Sequence, residues 1–327
     1  PITAHLELVH AEAVPLGTDH LSFPARLRAL LAAFALAFDW PGHLAEAGHG
    51  LPTAVAAYLL LSLPLDLLGG YLLPRRYQRP TPPLPAFLAR LLRAQLVHAA
   101  FLWLAANALQ AAAAEAGLPG LLAAAAAGML ALLLARPLVA TLLGGRSPLS
   151  AMAALRLRAA AQNGSRLRGI LVALAWNLAG LAVSASATGA DLSRPGGILT
   201  LACGFTLWSF LGLLLLPSVS RPAVLATDRA LLARGVTRAA LADAIRQADK
   251  DQDDEPVRAP WVERIFHPIP SVAVRLAALD CPASSRWGAD EAARLTLYLS
   301  WACLGLLSRA VHCNSGLPEY WVYLPRD

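Results

Sequence analysis

Five stretches of this 327-residue chain are each long and apolar enough to cross a lipid bilayer, which takes about 20 residues as a helix. They cover 52–73, 94–114, 118–143, 169–189 and 196–217, and between them hold two acidic or basic residues, Asp66 and Arg136. Inside lipid every backbone N–H needs a partner within its own segment or sheet, so apolar runs of this length fold as helices. Composition agrees, with 57% hydrophobic and 15% charged residues against the roughly 25% charged of soluble domains. Mean hydropathy is +0.53. The expected fold is all-α, a polytopic integral membrane helical bundle. Counting the short stretch 27–40 and the borderline stretch 294–311, it has five to seven spans.

Arginine sets the expected orientation, because positive residues stay on the cytoplasmic side. Arg75, Arg76, Arg79, Arg90 and Arg93 follow the first strong span, and Arg146, Arg156, Arg158, Arg166 and Arg168 fill the next long loop. Arg221 opens the last polar region. The connections near Glu115–Pro119 and Thr188–Pro195 are short and carry one cation, Arg194. Loops 74–93, 144–168 and 218–280 are therefore expected in the cytoplasm, and 41–51 outside. The first residues, with Glu7, Glu12 and Asp19, do not read as a cleavable signal peptide. Net charge is +6, with Lys250 the only lysine, which fits a GC-rich genome and a bacterial inner membrane.

Several function classes find no support. No basic stripe with interleaved aromatics points to nucleic acid. The four cysteines, Cys203, Cys281, Cys303 and Cys313, lack C-x-x-C spacing and read as small apolar fillers. Neither a haem-attachment motif nor iron–sulfur spacing occurs, so no cofactor is implied. The acidic run Asp249–Glu255 lacks the glycine and glutamate of a calcium loop and reads as a solvated linker. His43, Glu46 and His49 fall among Pro41, Gly42, Gly48 and Gly50, so a loop is expected there. Asp66, His98, Asn107, Arg136 and Asn177 are the polar residues within spans. Asp66 and Arg136 are expected to snorkel from span ends.

Outside the spans, prolines 74, 80, 82, 83 and 85 suggest an extended crossing. Residues 144–168 suggest a helix ending at the turn Asn163-Gly164-Ser165. Leu225, Leu231, Leu232, Leu241 and Ile245 give helical periodicity over 221–247, with a second helix starting at Thr237 after Gly235. Asp290 and Glu291 are placed to cap a helix with the apolar core Leu295–Val311. The chain divides into a polar tail (1–24), a membrane domain (25–280) and a C-terminal apolar helix with an aromatic tail (281–327).

Three segments share a pattern. Ser220-Arg221 is followed by Asp228-Arg229; His267-Pro268 is followed by Arg275 and Leu279; and Leu63–Tyr77 runs from an apolar helix into Pro74-Arg75-Arg76. In order and character they resemble the M48 membrane metallopeptidases, the family of the CAAX prenyl protease and HtpX. That resemblance implies a zinc site whose third ligand, a glutamate, falls at Val224. A valine cannot bind zinc. The family's H-E-x-x-H puts two histidines on one helical face with a glutamate as general base, and the motif is absent. By position Arg156, Leu157 and Ala160 stand where its His, Glu and His would be. The resemblance thus implies a scaffold without its metal, in which Ser220, Arg221, Asp228, Arg229, His267, Pro268 and Arg275 are retained as structural residues.

With the ligands gone, function is expected from surface. The leading expectation is a pseudopeptidase acting as accessory or scaffold subunit of a larger membrane complex. Its partners would be other integral membrane subunits and the bilayer, with no nucleic acid. Tyr320, Trp321 and Tyr323 are candidate partner contacts, since aromatics suit interfaces. Two alternatives are a membrane hydrolase using His267, Asp228 or His98, and a regulatory pseudoprotease that binds peptide or lipid transiently.

Overall fold

The computed structural model describes residues 27–46, 50–76, 81–143, 151–252, 256–281 and 287–307. Among them every regular element is helical. In chain order these are α1 (Leu27–Ala37), α2 (Trp40–Glu46), α3 (Leu51–Leu67) with a π-helical continuation (Leu68–Leu72), α4 (Leu73–Arg76) and α5 (Leu84–Leu143). There follow α6 (Ala151–Gln162), α7 (Ser165–Thr188), α8 (Pro195–Leu215), α9 (Pro217–Ala233) and α10 (Arg238–Gln252). α11 (Pro260–Phe266), α12 (Val272–Leu279) and α13 (Ala292–Leu299) come last, α13 running into a 3₁₀ turn, Ser300–Cys303.

Three of these helices are long and apolar enough to cross a membrane: Leu84–Val139 within α5, Ser165–Thr188 and Pro195–Leu215. That is fewer than the five to seven expected. Part of the difference lies in α5, which joins two expected spans and turns back at Ala116 and Gly117. Gly117 has φ +60 and ψ −147, a conformation essentially confined to glycine. A Cβ on Gly120 would lie 2.3 Å from the carbonyl oxygen of Ala112. In a continuous helix residues eight apart are about 12 Å apart along the axis, so the chain must reverse here. Limbs 84–115 and 118–143 each exceed spanning length.

The remaining shortfall has other causes. In the expected span 52–73, Pro64 lies inside α3 and Gly69-Gly70 in the π-helical stretch, so the regular helix stops after 17 residues. Glycine pays more entropy than other residues to stay helical. α1 is too short to cross alone. The described part of the borderline stretch 294–311 forms no spanning helix either: α13 ends at Leu299 and the 3₁₀ turn at Cys303, with Leu304 left-handed at φ +60. This segment is apolar because it fills the core. Tyr298, Leu299, Trp301 and Cys303 are all buried. Glu291 does not cap α13 through its side chain; it sits left-handed and bonds Arg136.

Two layers result. The larger core joins α3, α5, α7, α8 and the α13 segment through Phe87, Leu109, Met129, Leu181, Phe205 and Trp301. Its outer surface is apolar, with Leu92, Leu96, Leu130, Leu134, Leu138, Leu171 and Leu211 exposed as a lipid-facing belt requires. A second, smaller core joins α6, α9, α10 and α12 through Ala159, Leu231, Leu241, Ile245 and Val272. The turn at Asn163-Gly164 lies where expected, with the Ser165 N–H donating to Asn163 Oδ1 at 2.9 Å. α10 starts after Gly235 as expected, and Thr237 Oγ1 accepts from the Ala240 N–H at 3.3 Å. α5 begins at Leu84, so Arg90 and Arg93 lie on a helix instead of a loop. His43 and Glu46 are helical too, since Pro41 falls in the first turn of α2, where proline is tolerated.

Asp66 and Arg136 each pair with a charged group of the protein. Asp66 is 1% exposed and accepts from Arg28 and Gln95, each at 2.8 Å. Arg136 is partly buried, 3.3 Å from Glu291 and over the Tyr298 ring. Asn177 Nδ2 donates to the carbonyls of Ala173 and Thr296 at 3.0 Å. Asn107 Nδ2 donates to the Trp103 carbonyl at 2.7 Å.

Replacing Gly117 with alanine is expected to cost about 1–3 kcal/mol, because the turn is closed to a Cβ-bearing residue. Thermal unfolding of the detergent-solubilised variant checks this; an unchanged midpoint would contradict the reversal.

Candidate functional site

On α9, Ser220, Val224, Thr227, Asp228 and Leu231 share one buried face at helical spacing. On α6, Ala153, Arg156, Ala159 and Ala160 do the same. The two faces pack together, and α12 lays Val272 and Arg275 against α9. This brings two arginines onto one carboxylate. Asp228 is fully buried; Arg275 donates to it through Nε at 2.9 Å and Nη2 at 3.1 Å, and Arg156 donates through Nη1.

Burial alone would push the Asp228 carboxyl up, but the charges and hydrogen bonds of Arg156 and Arg275 outweigh it and hold the group below the usual range. A carboxylate held ionised and paired on both oxygens is a poor general base, since efficient bases titrate near the working pH.

Beside this triad lies a pocket of about 30 Å³ lined by Arg156, Leu157, Ser220, Val224, Pro268 and Glu291, among others. That is about the volume of one water molecule. Residues from α6, α9, the turn after α11 and the start of α13 thus meet at one point. Of the residues singled out in sequence for the site, Arg156, Leu157, Ser220, Val224 and Pro268 line the pocket, and Asp228, which also accepts from Arg275, holds Arg156. Ala160 and His267 are buried nearby on the same elements. Ser220 Oγ accepts from the Ala293 N–H at 3.1 Å, tying α9 to α13. Among the described residues no group of three or more His, Cys, Asp and Glu gathers as a metal would require.

Arg221 and Arg229 serve elsewhere. Arg221 donates to the Glu263 carboxylate at 2.7 Å and to its carbonyl at 2.8 Å, and Arg229 donates to the Ala278 carbonyl at 3.2 Å. Arg158 is exposed and takes no part. His98 does not line this pocket; it packs against the larger core between Tyr58 and Trp301. Tyr320, Trp321 and Tyr323 lie outside the described residues.

Glu263 was not visible as a site residue from sequence. It is 2% exposed and accepts from Arg221, from Ser271 Oγ at 2.9 Å and from the Ser271 N–H at 3.2 Å. Its place four residues before His267 carries no signal by itself. Glu291, read in the sequence only as a helix cap, and Arg294, which carried no signal, also line the pocket.

Comparison with protein-family models, with curated proteins and with solved structures returned no match.

Asp228→Asn would leave two buried guanidinium groups facing a neutral amide, a loss expected to cost about 3–5 kcal/mol. Arg238→Ala, which breaks an exposed pair with Asp280, serves as control and leaves the melting midpoint unchanged. Because the folded pKa of Asp228 is depressed, its contribution is present above the unfolded value near 3.9 and lost as pH falls through the folded one. Wild type minus Asp228→Asn stability, followed by urea unfolding, should stay flat from pH 7 to 5 and shrink below about 4. A difference that grows on acidification would contradict the pairing.

Proposed function

We propose that this chain is a catalytically inactive relative of the M48 membrane peptidases, serving as an accessory, scaffolding subunit of a larger integral membrane complex. In this reading it sits in a bacterial inner membrane with α6 and α9–α12 on the cytoplasmic side. One observation carries the proposal. Positions that resemble the family's zinc site, drawn from segments far apart in sequence, gather around one small pocket. There the cation is the chain's own Arg156, bonded within the chain to Asp228.

Where an active relative would have an open coordination site for metal and substrate, this arrangement closes on itself. A pocket of about 30 Å³ is small for a peptide, since ligand sites usually run to about 300 Å³ or more. That supports scaffolding over a hydrolase or a peptide-binding regulator. Asp228, Arg156, Arg275, Glu263 and Arg221 then act as internal ties that hold α6, α9, α11 and α12 to one another. Partner contact falls to other surfaces, with Tyr320, Trp321 and Tyr323 the candidates.

The particle extracted from native membranes in mild detergent should be several times the 34.4 kDa of this chain, with fixed stoichiometry and no zinc assignable to it. A lone chain carrying one zinc would overturn the proposal. Particle mass with metal analysis on one sample decides between them.

A further inference from the structure

A second cavity, about 240 Å³, lies within the membrane layer between α1, α2, α3, the first limb of α5, α8 and the segment after the 3₁₀ turn. It shares no lining residue with the Arg156 pocket. Its walls are hydrocarbon: Leu51, Val55, Leu102, Ile198, Ala202 and Leu304 are typical. Two of the polar side chains in its lining bond to protein. Arg28 pairs with Asp66 at 2.8 Å, and the Tyr58 hydroxyl donates to the Leu306 carbonyl at 2.8 Å. Water gains little in such a space, and an apolar cavity of about 150 Å³ already takes up a benzene ring.

The cavity also has a mouth. Leu31, Trp40 and Leu61 line it, yet they are 43%, 51% and 57% exposed, on the apolar outer surface of α1–α3. An occupant reaching it from the side therefore comes from the hydrocarbon region of the bilayer. We infer that this cavity is a lateral binding site for one hydrocarbon chain of a membrane lipid. The buried Arg28–Asp66–Gln95 network holds α1, α3 and α5 together beside it. This inference does not rest on the resemblance to metallopeptidases.

The test uses the full chain in phosphatidylcholine vesicles doped with a phosphatidylcholine that carries a diazirine on one acyl chain. After photolysis, adducts are mapped by peptide mass spectrometry. Residues 51–62, 102–106 and 198–203 should be labelled at least threefold above the outward-facing Leu130, Leu134 and Leu138. Ala202→Trp should cut cavity labelling by fivefold or more while belt labelling stays unchanged. Ala54→Phe, from the opposite wall, should do the same and covers the case in which the first variant fails to fold. Even labelling across the belt, unaltered by either substitution, would overturn the inference. So would lining residues that escape labelling altogether, as they would if another protein segment filled the cavity. Labelling by a free diazirine fatty acid but not by the phospholipid would overturn the bilayer lipid as the source of the chain.

Discussion

The interaction on which the packing of α6, α9 and α12 depends is the sharing of the Asp228 carboxylate between Arg156 and Arg275. Each of the three groups, taken alone out of water, would cost several kcal/mol. Together they are tolerable only if α6, α9 and α12 are held in one register, because bidentate guanidinium–carboxylate bonds are directional. The small apolar core of Ala159, Leu231, Leu241, Ile245 and Val272 surrounds that register and excludes water from it. A one-residue slip of α9 would swing Asp228 about 100° away from its partners. Burial and charge thus select the same packing.

The layer below is joined to this one by the α13 segment. Its backbone leaves the α-helix inside the protein, and within a bilayer that is permitted only where protein surrounds it and supplies the missing bonds. It does so here. Asn177 donates to the Thr296 carbonyl, the Tyr298 hydroxyl to the Leu132 carbonyl at 2.8 Å, and the Leu306 N–H to Thr206 Oγ1 at 3.3 Å. At its start, the Asp290 N–H donates to the Ser165 carbonyl at 3.0 Å and the Ala289 N–H to the Val219 carbonyl at 3.1 Å. One short segment therefore ties α5, α7, α8 and α9, and Glu291 beside Arg136 adds a charge pair at the junction.

Much of this was legible in the chain, for definable reasons. Long uncharged runs marked the helices of the bundle, since a helix satisfies its own backbone within one apolar segment. The turns at Gly164 and Gly235, both at positive φ, were marked by Asn-Gly and Gly ahead of Thr237. Hydropathy failed where apolar residues face protein: 294–311 reads as a borderline span, and its described part, through Leu307, is a buried plug. It also failed at Asp66, because its partner Arg28 lies 38 residues upstream and no local pattern links them. At the pocket, spacing placed Arg156, Val224 and Asp228 on their helices. It carried no sign that Arg156 would bond Asp228, nor that Glu263 would be buried, since such contacts depend on packing between distant segments.

The claim that Arg156 and Asp228 form one energetic unit is tested most directly by a double-mutant cycle in detergent micelles. The forms compared are wild type, Arg156→Met, Asp228→Asn and the pair, each unfolded in urea. The account predicts a coupling of about 2 kcal/mol or more, with the double variant less destabilised than the sum of the two singles. Additivity within about 0.5 kcal/mol would contradict it and leave the convergence at the pocket without energetic meaning.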